Sequence, residues 1–184
     1  MIFLHPCPES ASAIVKSAYD SRMILFKKSM PSPVGVLTLV ASDKGLCAIL
    51  WENDDPRRVP LGDLAENVDH PVLLETESQL AAYFMGESEG FSLPLDFRGT
   101  DFQKKVWQAL CTIPFGETRT YSEIARQIGI PAAARAVGAA NGKNPISIVA
   151  PCHRVLGANG KLTGFAGGLE AKAFLLGLES KRLL

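Results

Sequence analysis

Thr120-Tyr-Ser-Glu-Ile-Ala-Arg-Gln-Ile-Gly-Ile-Pro-Ala-Ala-Ala-Arg-Ala-Val-Gly-Ala-Ala-Asn141 spells helix, tight turn, helix. Thr120 and Glu123 have the spacing of a capping box, in which each side chain satisfies the backbone N–H of the other residue. The box predicts a helix over 121–128, with Ile124 and Ile128 on one face and Gly129 as its stop. Pro131 then sits at a natural first helical position, followed by Ala-Ala-Ala-Arg-Ala-Val-Gly-Ala-Ala. This is the helix-turn-helix outline, which by itself assigns no ligand because many helical hairpins bind nothing. The second helix says more. Residues 132–140 are nearly all small, with one long cation, Arg135. Packing against a core would explain the alanines but not the arginine, whereas a slim helix with one projecting guanidinium suits a narrow nucleic-acid groove.

Upstream, Thr100-Asp-Phe-Gln103 is a second capping box, and the apolar face Phe102, Val106, Trp107, Leu110 predicts an amphipathic helix that stops by Pro114. The N-terminal half reads differently. Residues 32–51, SPVGVLTLVASDKGLCAILW, predict a β-hairpin turning at Ser-Asp-Lys-Gly. Residues 52–68 read as loop, and 71–85 as a helix with Leu73, Leu74, Leu80, Ala81, Phe84 and Met85 apolar. FSLPLDFRG, residues 91–99, reads as an edge strand running into a linker, which puts a domain boundary near 97–100. The expected division is an extension over 1–20, a small α/β domain over 21–97 and a mostly helical domain over 98–184.

With 47% hydrophobic and 21% charged residues, the composition is that of a globular protein, not a disordered chain. The net charge is zero but unevenly placed. Residues 1–100 hold eight Lys and Arg against fourteen Asp and Glu, and residues 101–184 hold eleven against five, so the C-terminal part is the better partner for a polyanion. No run has the length of a membrane span, and the N-terminus lacks a secretory apolar run. Cys7, Cys47, Cys111 and Cys152 show no paired spacing, which fits a reducing, cytoplasmic setting. His5, Cys7, Cys47 and His70 do not form a metal-binding pattern, so no metal is expected.

The chemistry concentrates in Ile148-Val-Ala-Pro-Cys-His-Arg-Val155, an apolar, strand-like run that ends abruptly at Pro151-Cys152-His153-Arg154. A thiol reacts as thiolate and needs a base for its proton, with donors or positive charge to stabilise the anion. His153 and Arg154 are candidates for both. On extended backbone, neighbouring side chains point opposite ways, so His153 reaches the sulfur only if the chain turns here or a water intervenes. A buried structural cysteine beside an outward His-Arg pair is the other reading of these residues.

Pro151-Cys-His-Arg-Val155 resembles the active-site signature of the O6-alkylguanine-DNA alkyltransferases, or methylated-DNA-protein cysteine methyltransferases. Phe115-Gly116-Glu117, Thr120-Tyr121, Ala134-Arg135-Ala136-Val137-Gly138, Asn144-Pro145 and Gly164 to Leu169 follow that family's order, so the resemblance covers about residues 100 to 180. It implies a small ribonuclease-H-like α/β domain with a β-sheet and helix, then a winged helix-turn-helix domain. It implies irreversible, single-turnover transfer of an alkyl group from O6-alkylguanine in double-stranded DNA to Cys152, by a monomer without cofactors. Whether O4-alkylthymine is a second substrate is left open by the sequence.

By the same resemblance His153 acts through a water as the base, Glu179 orients it, and Asn144 fixes the active-site turn. Asn144 also has a complete local reading as an Asn-Pro turn residue. Tyr121, with Ser122 beside it, would contact DNA and donate to the flipped guanine. Arg135 would enter the minor groove and fill the gap left by flipping. Residues 157–168 form a glycine-rich loop, the family's wing and pocket wall, where Phe165 stands in place of a common tyrosine and Ala166 leaves room for larger alkyl groups. Lys172 lies near the site by resemblance, or on the surface of a helix expected over 171–179. Two other classes share parts of this pattern. A non-enzymatic damage sensor would have lost the cysteine, and a cysteine hydrolase needs an oxyanion hole that nothing here announces.

Overall fold

The computed structural model describes residues 24–180, so the expected extension over 1–20 lies outside the described residues. Strands β1 (Leu25–Met30), β2 (Leu37–Ser42), β3 (Gly45–Trp51) and β4 (Leu64–Glu66) form a sheet in the order β3-β2-β1-β4. All neighbours are antiparallel except β1 and β4, which run parallel. The predicted hairpin is β2 and β3, turning at the predicted residues. Ser42 Oγ accepts from Lys44 N at 3.2 Å and donates to Asp96 at 2.8 Å. Gly45 is required there, because a Cβ would stand 2.4 Å from the Pro94 carbonyl oxygen.

Helix α1 (Pro71–Met85) lies over the sheet with Leu73, Thr76, Leu80 and Tyr83 buried. It ends at Gly86 in the left-handed conformation (φ 77°), whose N–H returns to the Tyr83 carbonyl. Two expectations for this half are corrected, and one strand was not expected. Residues 52–68 are not all loop, because Leu64–Glu66 pair with β1. Strand β1 itself carries no apolar alternation: Lys27 and Lys28 interrupt it and ion-pair with Glu66 and Glu77. The segment 91–99 is not an edge strand. It makes one bridge, Leu46 to Leu95, because Pro94 has no N–H to extend a ladder.

In the second half, α2 (Asp101–Leu110) and α3 (Tyr121–Gln127) each start at the predicted capping box, on Thr100 and Thr120. The next helix is corrected at its start. Pro131–Ala133 form a 3-10 turn and α4 runs Ala134–Gly142. Neither Ile130 nor Ala133 supplies a side-chain cap, and an uncapped first turn tightens to i→i+3 bonding. Trp107 Nε1 donates to the Ala140 carbonyl at 2.8 Å and fastens α2 to α4. Two-residue strands β5 (Arg119–Thr120) and β6 (Val155–Leu156) pair in parallel, a wing loop follows, and α5 (Gly168–Ser180) closes the domain.

One buried cluster joins the sheet and α1 to Ile146, Ile148, Ala150, Ala171 and Leu175, so the larger core crosses between the two halves. A second is built on α2, α3 and α4 and includes Cys152 and Val155. Among the described residues, no helix is long and apolar enough to cross a membrane.

Candidate active site

The run before Cys152 is not a strand. Ile146 makes a single bridge to Ile49, the chain then bends, and Ile148 takes φ 73°, costly for a β-branched residue. Asn144 holds the bend from inside: its Nδ2 donates to Ala150 O at 2.7 Å and its Oδ1 accepts from Ile146 N at 3.1 Å. Arg58, from the loop after β3, donates to the Asn144 carbonyl and is itself paired with Asp54. The apolar residues at 148–150 are buried in this turn, which imitates a strand in sequence.

Cys152–Arg154 form one 3-10 turn, so the backbone is not extended at the thiol. Cys152, His153 and Arg154 are all buried. Burial pushes the Cys152 thiol up from its ordinary value, opposed by hydrogen bonding from Asn144 and Ser147 and by the charges of Arg58 and Lys172. The resting group is therefore a thiol, with donors already arranged for an anion.

His153 Nε2 lies 2.7 Å from Glu179 Oε1. Glu179 also accepts from Arg154 Nε and Nη2 at 2.8 and 2.9 Å, from the Tyr83 hydroxyl at 2.7 Å and from Gly116 N at 3.3 Å. Burial opposes its charge, but the hydrogen bonds from His153 and Arg154 prevail and hold the carboxyl at about 2. An ionised Glu179 fixes the proton of neutral His153 on Nε2. Nδ1, buried and without a protein partner among the described residues, then keeps its lone pair for a proton. Burial pushes the His153 pKa down, Glu179 raises it, and Arg154 and Lys172 lower it. The imidazole is thus neutral at rest and can become cationic against a fixed carboxylate.

Lys172 is no surface residue. It is fully buried, donates to Val155 O at 2.7 Å and Thr163 O at 2.9 Å, and ties α5 to β6 and to the wing loop. Phe165 packs beside the His153 ring, with centroids 6.4 Å apart. Separately, Tyr121, Ser122, Ala134, Arg135 and Gly138 line one surface cleft of about 360 Å³. Arg135 and Ser122 are exposed, and the Tyr121 hydroxyl is 3.0 Å from Thr163 Oγ1. The sequence residues thus fall into two groups: Cys152, His153, Glu179 and Asn144 inside, and Tyr121, Ser122 and Arg135 outside.

Sequence reasoning missed Tyr83, Ser147 and the Arg58–Asp54 pair. Tyr83 gave one faint signal, a hydroxyl on the buried face of a helix, where it needs a partner. Arg58 gave none, standing in a polar loop. Among the described residues no group of three or more His, Cys, Asp or Glu could hold a metal, and His5 and Cys7 lie outside them.

Two family models match consecutive parts of the chain: the ribonuclease-like domain of 6-O-methylguanine DNA methyltransferase over residues 25–97 and its DNA-binding domain over residues 101–181. A methylated-DNA–protein-cysteine methyltransferase of Methanosarcina mazei is 51% identical over 152 residues, covering 83% of this chain and 95% of that one. One of Mycobacterium leprae is 51% identical over 159 residues, covering 85% and 93%. The crystal structure of Mycobacterium tuberculosis OGT in complex with DNA is 48% identical, covers 86% of this chain and 94% of that one, and superposes with a TM-score of 0.77. Two matched domains in sequence, with half of all residues shared across nearly full-length relatives, place this chain in the 6-O-methylguanine DNA methyltransferase family, the methylated-DNA–protein-cysteine methyltransferases.

Proposed function

We propose that this chain repairs double-stranded DNA by moving the alkyl group from O6 of a damaged guanine onto its own Cys152 sulfur, once per molecule. The observation that carries this reading is the buried Cys152–His153–Glu179 arrangement, with His153 Nδ1 left as the one ring nitrogen able to take a proton. The thiol proton passes to Nδ1, through a water, and Glu179 stabilises the imidazolium. Asn144 and Ser147 stabilise the sulfur anion. Sulfur bonds to the alkyl carbon as the carbon–O6 bond breaks, leaving its electron pair on the purine. The purine anion, held by a hydrogen bond from Tyr121, takes up a proton from water, and the His153 imidazolium returns its proton to water, so that the net change is one proton moved from the thiol to the purine. The thioether product has no leaving group comparable to an alkylated purine, so the protein is a reagent used once and needs no cofactor.

Cys152 is only 3% exposed, so a paired guanine cannot reach it and the nucleotide must leave the stack. The outer cleft with Tyr121, Ser122 and Arg135 suits that step: a slim α4 enters the minor groove and Arg135 fills the gap. O4-alkylthymine presents the same alkyl–oxygen bond beside a ring nitrogen and is the second substrate of this reading, with the protein acting as a monomer in the cytoplasm. Mass spectrometry after mixing with a duplex containing one O6-methylguanine tests the proposal. The expected result is one methyl group, located on Cys152 and absent in Cys152→Ala. Binding without any gain of mass replaces transfer with damage sensing.

A further inference from the structure

Trp51 closes β3 of the N-terminal domain, yet its side chain lies among C-terminal residues. Its Nε1 donates to Ser147 Oγ at 3.3 Å, and its ring meets Phe165 edge-on with centroids 5.3 Å apart. Its indole also fills the space beside Gly167, where a Cβ would come within 2.6 Å of Cδ2 and Cε3. Ser147 belongs to the bend that holds Cys152, and Phe165 packs against the buried cluster that contains the thiol. One rigid side chain, only 7% exposed, thus touches both the segment behind the sulfur and the glycine-rich segment beside it.

Resting on the reading of Cys152 as alkyl acceptor, we propose that Trp51 sets the range of alkyl groups accepted, by fixing how far the Phe165–Gly167 segment stands from the thiol. An indole held by a hydrogen bond on one edge and a ring contact on another cannot slide aside. The segment it supports is rich in glycine, with Gly164, Gly167 and Gly168, and moves when its support shrinks. A smaller residue at 51 lets that segment settle away from Cys152. A methyl group, the smallest adduct, gains little, and a benzyl group gains room.

The test compares single-turnover rates on duplexes carrying O6-methylguanine or O6-benzylguanine for the unchanged protein, Trp51→Leu and Trp51→Met, with adducts located by mass spectrometry. The expected result is a benzyl-to-methyl rate ratio raised about fivefold or more in Trp51→Leu and less in Trp51→Met, the scale of a modest change in pocket fit. If Trp51→Leu does not fold, Trp51→Met carries the test. A ratio that falls or stays within about twofold of the unchanged protein overturns the proposal, as does slowing of both substrates by one factor, since that is the mark of plain structural support. Lack of transfer by the unchanged protein overturns the reading of Cys152 instead.

Discussion

Tyr83 of α1 donates its hydroxyl to Glu179 Oε1 at 2.7 Å, so the carboxylate beside His153 is held by a residue 96 positions away in the other domain. The hydroxyl is fully buried, and its own ionisation is pushed far up by burial and by the neighbouring carboxylate. It is therefore a permanent donor. It shares Oε1 with His153 and, with Arg154 and Gly116, fixes the plane of the carboxylate.

Tyr83→Phe keeps the ring packing and removes only this hydroxyl. The expected loss of stability is about 1 kcal/mol, the usual net value of one buried hydrogen bond. Methyl transfer should slow several-fold, because Glu179 can then rotate away from His153. Urea denaturation measures the first and single-turnover kinetics the second. A variant unchanged in both would make the contact incidental.

The two buried ionisable groups beside Cys152 predict acid lability, and both act in one direction. Glu179 titrates at about 2 when folded against an ordinary 4.5, so the unfolded chain takes up its proton first. Its contribution, about 3 kcal/mol, is present above pH 4.5 and lost as pH falls toward 2. The His153 pKa is also depressed, so its share begins to fade as pH falls below 6.5. Unfolding free energy measured from pH 7 down to 3 should fall steadily. In Glu179→Gln the protein should be less stable at neutral pH by about 3 to 5 kcal/mol, because Arg154 is left as an unpaired buried charge. Its slope with pH should be flatter, and an equally steep slope would assign the lability elsewhere.

What the sequence disclosed and what it hid divide along the distance over which each feature is determined. The capping boxes at Thr100 and Thr120 are complete within three residues, and both helices begin where those boxes predict. The β2–β3 hairpin is equally local. Strand β1 was hidden because Lys27 and Lys28 spoil its alternation, and its pairing depends on partners elsewhere in the chain. The bend at 146–150 looked like a strand because its apolar residues are buried by the sheet beyond, which no local pattern reports. His153 stood out by its neighbours and Glu179 only by resemblance, while the donors that hold Glu179 come from α1 and the turn at Gly116, too distant for any spacing rule.

Arg135 separates binding from chemistry. It is exposed on α4, so Arg135→Ala should change stability by less than about 0.5 kcal/mol. Transfer from an alkylated duplex should fall about tenfold or more, since filling the emptied stack offsets part of an unstacking cost of a few kcal/mol. Transfer from free O6-benzylguanine, which needs no flipping, should be unchanged. Equal slowing on both substrates would place Arg135 in the chemical step and leave the outer cleft without its proposed task.

Alkylation should loosen the protein that carries it out. Cys152 is 3% exposed and belongs to the buried cluster built on α2, α3 and α4, while the bend behind it is fixed by Asn144 and Arg58. A methyl group added to sulfur must displace something, and overpacking a tight site costs about 1 to 3 kcal/mol. It also ends the ability of sulfur to become an anion, so the donors arranged by Asn144 and Ser147 lose their partner. Thermal unfolding before and after reaction with one equivalent of methylated duplex, once DNA is removed, should show a lower midpoint, by about 2 to 4 °C for each kcal/mol at this chain length. Benzyl should lower it further than methyl. An unchanged midpoint after complete transfer would mean that space is already kept beside the sulfur for the product, and that the bend at Asn144 is shaped for the alkylated state as well as for the free thiol.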